Sequence, residues 1–222
     1  MVANWWPWNA QPIDDPIYLN YQALFKTQTT IRNLIRELTF TILDTETTGL
    51  NPKKDRILSI AAVKVKNFEI QTDNRLLCYV TQEDYQPDQS VEVHGILNKH
   101  LQKGITEKAM LHQLLPYLGS DVIVGHHIGF DIAILNKACK RHLGGMLLNR
   151  KLDTLQLAKK CDPASFYYDH HQAGHLDELC KKYKIALGKR HTAEGDTYIT
   201  ALLFLKLLGR LEKKGKLKLS DL

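Results

Sequence analysis

The sequence has little cysteine: Cys78, Cys139, Cys161 and Cys180, with no Cys-x-x-Cys pair among them. That spacing argues against a zinc ribbon or a redox dithiol and leaves free thiols in a reducing compartment, with buried structural roles. No uninterrupted apolar run approaches membrane-spanning length. The N-terminus lacks a basic stretch followed by an apolar one, so it does not read as a secretory signal. A cytoplasmic location is the default expectation. There is no internal repeat. The ten histidines do not assemble a zinc site either. His170, His171 and His175 form the densest group and His126 and His127 a pair, yet no thiolate or His-x-x-x-His spacing completes a tetrahedral set.

What is present fits a globular chain. The 222 residues suit one domain with an appended segment. Apolar residues at 44% are enough for a core, and charged residues at 24% are not the composition of a disordered chain. The formal charge of +6 favours an anionic partner such as nucleic acid, though a merely basic surface would give the same number.

Residues 1–38 stand apart as an aromatic and helical extension. Trp5, Trp6, Pro7 and Trp8 open it, and Asp15-Pro16 has the form of a helix start, Asp as cap and Pro at the first helical position. Apolar residues then recur at helical spacing from Tyr18 to Leu38. Two roles remain open: a helix packed on the main domain, or a docking segment for a partner protein. From Thr39 the pattern becomes strand-like. Phe40–Asp44, Ile57–Val65 and Leu76–Val80 read as three strands in antiparallel order. Helices are predicted over Ile105–Leu118, Phe130–His142, Thr154–Lys160, Leu176–Tyr183 and Ala193–Leu211, with a short strand at Val122–Val124. Three strands followed by alternating helix and strand predict an α/β domain with a mixed central sheet over residues 39–212. The Lys-rich end, 213–222, reads as a basic tail.

Three short segments carry chemistry. In Asp44-Thr45-Glu46 an apolar strand delivers two carboxylates to one face, since strand side chains two apart share a side. Their repulsion adds little stability and is relieved by a hard divalent cation; an exposed acidic turn is the plain alternative. Asp131 falls at a helix start after Gly125-His126-His127-Ile128-Gly129-Phe130. It either stabilises the positive end of that helix or sets a third carboxylate at the sheet edge. The third segment, His191-Thr192-Ala193-Glu194-Gly195-Asp196, puts Asp196 near the start of the last helix and His191 in the preceding loop. Such a histidine is either simply solvated or able to take a proton near neutral pH.

Together these segments resemble the DEDD-type exonuclease superfamily, in its histidine-containing branch, which includes the proofreading epsilon subunit of bacterial DNA polymerase III. Weaker matches lie at Val93-His94-Gly95-Ile96, Leu152-Asp153-Thr154-Leu155 and Leu176-Asp177-Glu178-Leu179-Cys180, in the family's order. The resemblance spans roughly residues 39–210 and implies a ribonuclease H-like fold, a mixed sheet flanked by helices. It implies 3′→5′ exonuclease activity on single-stranded or frayed DNA ends, or on RNA. Asp44, Glu46, Asp131 and Asp196 would hold two divalent cations, Mg2+ or Mn2+, and His191 would be the general base. Thr47 and the adjacent backbone would meet the terminal 3′-hydroxyl, Leu50 the last base and His94 the terminal nucleotide. His127 stands where the family often has Asn, and can still donate or accept a hydrogen bond. Lys189, Arg190, Lys53, Lys54 and Arg56 are candidates for phosphate contacts. The alternative function is a non-catalytic nucleic-acid-binding or scaffold module that retains this fold.

Overall fold

The computed structural model describes residues 14–26, 34–82, 103–166, 174–188, 190–215 and 218–222. The sheet has five strands: β1 (Thr39–Thr47), β2 (Ile57–Lys66), β3 (Glu69–Tyr79), β4 (Val122–Gly125) and β5 (Lys151–Asp153). Their spatial order is β3-β2-β1-β4-β5. β1, β2 and β3 pair antiparallel, whereas β4 joins β1 and β5 joins β4 in parallel. β1 is therefore the central strand, and its C-terminal end points the same way as those of β4 and β5. Side chains from both strand groups can meet at that end.

Helices cover both faces of this mixed sheet. On one side lie α1 (Pro16–Lys26), α2 (Glu107–Leu118) and α3 (Gly129–Leu143). On the other lie α4 (Thr154–Cys161), α5 (Leu176–Lys182) and α6 (Ala193–Lys213). Two hydrophobic clusters fill the gaps: Phe40, Ile42, Phe204 and Leu207 on the α6 side, and Leu43, Ile60, Leu114 and Leu135 on the α2–α3 side. β2 feeds both faces, so nine of its ten residues are buried and its sequence is nearly continuous in apolar residues. A register shift between Glu46 and Thr47 bends the end of β1 where its acidic residues emerge.

The described part of the N-terminal extension packs against the domain. Asp15 caps α1, its Oδ1 accepting from the backbone of Ile17 and Tyr18 at 3.1 and 3.2 Å. Tyr18 and Tyr21 are buried. Their hydroxyls bind the loop after α3, Tyr18 donating to the Met146 carbonyl at 2.8 Å and Tyr21 accepting from the Leu148 amide at 2.7 Å. Gly145 has to be glycine there, because an added Cβ would lie 2.0 Å from the Tyr18 ring. Among the described residues α1 covers Pro16–Lys26 and Ile35–Glu37 forms a 3-10 turn, so the expected helical run is not continuous to Leu38; residues 27–33 lie outside the described residues. The tryptophan cluster lies outside the described residues. At the end of the chain Lys218 bridges to Leu34, and Leu219 and Leu222 are buried against the α6 side of the core. Two apolar side chains near the terminus outweigh the solvation of its lysines.

Candidate active site and metal centre

Strand parity builds the site. Asp44 and Glu46 follow Phe40 and Ile42 on the α6 face of β1, while Thr45 points to the α3 face. On the α6 face Asp196, in the first turn of α6, completes the pair into a trio. One oxygen from each of Asp44, Glu46 and Asp196 lies within 4.8 Å of the other two. Asp131 comes from the other side of β1. It sits in the first turn of α3, where its Oδ1 accepts from the Thr45 amide at 3.0 Å and the Thr45 hydroxyl at 2.7 Å. Thr45 thus ties the fourth carboxylate to the backbone between the first two.

These carboxylates are costly to charge without a cation. Burial holds Asp44 well above the ordinary carboxylate range, and repulsion from Asp131, Glu46 and Asp196 adds to it. Burial, then Asp196 and Asp131, pushes Glu46 up to about 7. Burial pushes Asp131 up to about 7 as well, against the two Thr45 hydrogen bonds, which lower it. The donor set is all carboxylate oxygen, drawn from three separate elements, and it suits a hard divalent cation.

The loop from β4 to α3 is shaped to present Asp131. Gly125 ends β4, and a Cβ there would lie 2.4 Å from the Ile128 side chain. His127 then takes a left-handed backbone, φ 54°. Histidine is among the residues enriched in this conformation, so the loop accepts it here. The His127 amide donates to Asp153 Oδ1 at 3.2 Å, and the same oxygen caps α4 by accepting from Leu155 at 2.9 Å. His126 is fixed at both ring nitrogens, 2.9 Å from the Thr154 hydroxyl and 2.9 Å from the Gly174 carbonyl. The carbonyl can only accept, so Nε2 carries the proton and Nδ1 accepts from Thr154. Burial, helped by His127, pushes the His126 pKa down to about 4. A ring engaged at both nitrogens is not a free metal ligand.

The remaining candidates are spread around this cluster. His191 is exposed in the loop just before α6, with φ 59°. Thr47 donates its hydroxyl to the Gly49 carbonyl at 2.7 Å, closing the turn after β1. Leu50, at 91% exposure, is the most exposed large apolar side chain among the described residues. Lys53, Lys54 and Arg56 are exposed on the same turn. His94 and Lys189 lie outside the described residues. Arg190 is bound inward, contrary to a free phosphate contact: its guanidinium bonds both Asp196 and Asp177. Sequence reasoning did not anticipate that link, nor the roles of Thr45, Asp153 and His126. Asp153 did carry a signal, an Asp directly before the helix predicted to start at Thr154.

The family model described as Exonuclease, of the RNase T type, matches residues 41–204, most of the chain and all four carboxylates. The chain belongs to this exonuclease family. The match runs from β1 into α6 and leaves out α1. The exonuclease chain is 32% identical over 207 residues to the PolC-type DNA polymerase III of Bacillus subtilis, covering 93% of this chain. It spans only 13% of the length of that relative. It is 29% identical over 181 residues to the DNA polymerase III subunit epsilon of Aquifex aeolicus, covering 82% of this chain and 86% of that one. Among solved structures, E. coli ExoI in its zinc-bound complex with single-stranded DNA superposes with a TM-score of 0.67 at 22% identity, covering 79% of this chain and 42% of ExoI. That likeness establishes the shared ribonuclease H-like fold.

Proposed function

We propose that this exonuclease domain hydrolyses DNA from the 3′ end, one nucleotide at a time, preferring single-stranded or frayed ends. The carrying observation is the convergence of Asp44, Glu46 and Asp196 within ligand distance of one another, with Asp131 tied to Thr45 between them. In this reading the four carboxylates hold two divalent cations, magnesium or manganese. Such ions supply Lewis-acid activation of water and neutralise charge on the departing oxygen. His191 takes the proton of the attacking water. Its place on an exposed loop lets it approach a substrate from the solvent side, with the carboxylates behind it. Thr47 and the turn after β1 receive the terminal 3′-hydroxyl, and Leu50 packs on the last base. A leucine reads no base identity, which fits indifference to sequence. His127 and His94 are proposed to contact the terminal nucleotide as well. Similarity to polymerase III proteins and to an ExoI–single-stranded DNA complex supports DNA as the substrate.

Digestion of end-labelled single-stranded DNA, duplex DNA and RNA, with magnesium, manganese or excess chelator, tests this reading. Single-stranded DNA should be degraded fastest, and chelator should stop the reaction. Full turnover in chelator would refute the metal assignment, and faster loss of RNA would refute the substrate class.

A further inference from the structure

The guanidinium of Arg190 holds two carboxylates at once. Nη1 bonds Asp196 Oδ1, and Nε bonds Asp177 Oδ1 at the first turn of α5. The side chain of Asp196 is only 12% exposed and that of Asp177 is 48% exposed, with Arg190 between them at 19%. The positive charge also lowers the cost of ionising Asp44 and Glu46. One arginine therefore stands as counter-charge to the acidic cluster while being anchored to a carboxylate outside it. Arginine suits the task because its fork of donors can bridge two acids and its charge is never lost.

We propose that Arg190 is a resident counter-cation of the metal centre: a divalent ion entering the site takes Asp196 from it, and Arg190 stays behind on Asp177. This rests on the assignment of Asp44, Glu46, Asp131 and Asp196 as metal ligands. Asp177 gives the displaced guanidinium a partner, so the exchange needs only a small rotation and no charge is left unpaired at the cluster. Two cations that compete for one carboxylate weaken each other's binding. Arg190 therefore sets how much free metal the exonuclease needs, and Asp177 acts as the positioning residue that makes displacement easy.

The test is Mn2+ binding to the whole chain, measured calorimetrically without nucleic acid, for wild type, Arg190→Gln, Asp177→Asn and the double variant, with Asp44→Asn as control. Arg190→Gln should bind Mn2+ at least about fivefold more tightly, because a unit positive charge has left the immediate surroundings of a dication. Asp177→Asn should bind it more weakly, since Arg190 is then left to Asp196 alone. That weakening should vanish in the double variant, as expected when one residue acts through the other. A purely structural staple would give unchanged or weaker binding in Arg190→Gln, and that result overturns the proposal. Should Arg190→Gln fail to fold, weakening by Asp177→Asn remains the deciding result, and unchanged affinity there overturns the proposal as well. If Asp44→Asn binds Mn2+ as tightly as wild type, the metal-ligand assignment fails instead, a distinct outcome.

Discussion

In the proposed mechanism the acidic pair on β1 and the Arg190–His191 loop before α6 serve one site by opposite means. Asp44 and Glu46 project from the central strand just beyond its ladder with β4 and are paired with Ala61 and Ser59 of β2, so their geometry is set by the backbone before any ligand arrives. His191 is exposed on a connecting segment in a left-handed conformation, and its neighbour Arg190 is bonded to one of the candidate ligands. The strand builds the centre rigidly and at an electrostatic cost, as the raised carboxyl groups show. In the proposed mechanism the exposed His191 on this loop is the part of the site that meets the substrate from solvent. Rigid ligands and a movable base are what hydrolysis at a terminal phosphodiester requires, because the ions must be preorganised while strands enter and leave.

The rigid half should show the largest effects. Asp44→Asn or Asp196→Asn should abolish exonuclease turnover and leave the fold intact. Asp44→Asn removes repulsion from a crowded cluster, so its thermal melt in chelator should match or exceed wild type, whereas Asp196→Asn also gives up the Arg190 ion pair and should melt no higher. A variant that retains a near-normal rate would break the comparison at its strand side.

The loop half comes next. His191→Ala should slow single-turnover cleavage by about 10²–10⁴-fold, the usual contribution of a general base. Manganese affinity should hardly change. Loss of metal binding would make His191 a ligand or a structural residue, and a wild-type rate would move the base elsewhere.

A pH series sharpens the electrostatic contrast. Glu46 and Asp131 have folded-state values of about 7, above the unfolded range near about 4. Between those values the folded chain binds more protons than the unfolded one, so stability falls as pH rises. In chelator the melting temperature should drop from about pH 5 to about pH 8. Saturating manganese should remove most of the drop, because the cation replaces the protons. An equal slope with and without metal would contradict the account.

Much of this architecture was legible in the residues themselves. The parity of Asp44 and Glu46, the nearly unbroken apolar run of β2 and the cap-and-proline start of α1 all follow local rules, and these features formed where those rules put them, whereas β3 begins at Glu69, well before the expected Leu76. β5 escaped notice because three residues, Lys151–Asp153, carry too little periodicity to read. The helix start at Asp15 was visible, but the 3-10 turn at Ile35–Glu37 was not, since apolar spacing continues to Leu38. Arg190 illustrates the deeper limit. A long, flexible cation selects its partners only after the fold has brought Asp177 and Asp196 together, and no spacing rule names them in advance.

The smallest effects belong to the extension. Tyr18→Phe removes a hydroxyl that both donates to and accepts from the Met146 backbone, and it should cost about 1–3 kcal/mol of stability with little change in rate. Deleting residues 1–13 should leave turnover of short oligonucleotides unchanged, because no motif residue lies there. A strong loss of rate from either change would tie the extension to the site.

The central claim is a metal centre that acts on the last nucleotide of a DNA strand, and the polarity of product release tests it most directly. A 5′-labelled single strand, incubated with manganese, should yield a ladder that shortens progressively from the 3′ end. The same strand with a blocked 3′ terminus should resist, and Asp44→Asn should yield no ladder. Rapid cutting of a closed circular single strand, or release of the 5′ label as the first product, would contradict the account.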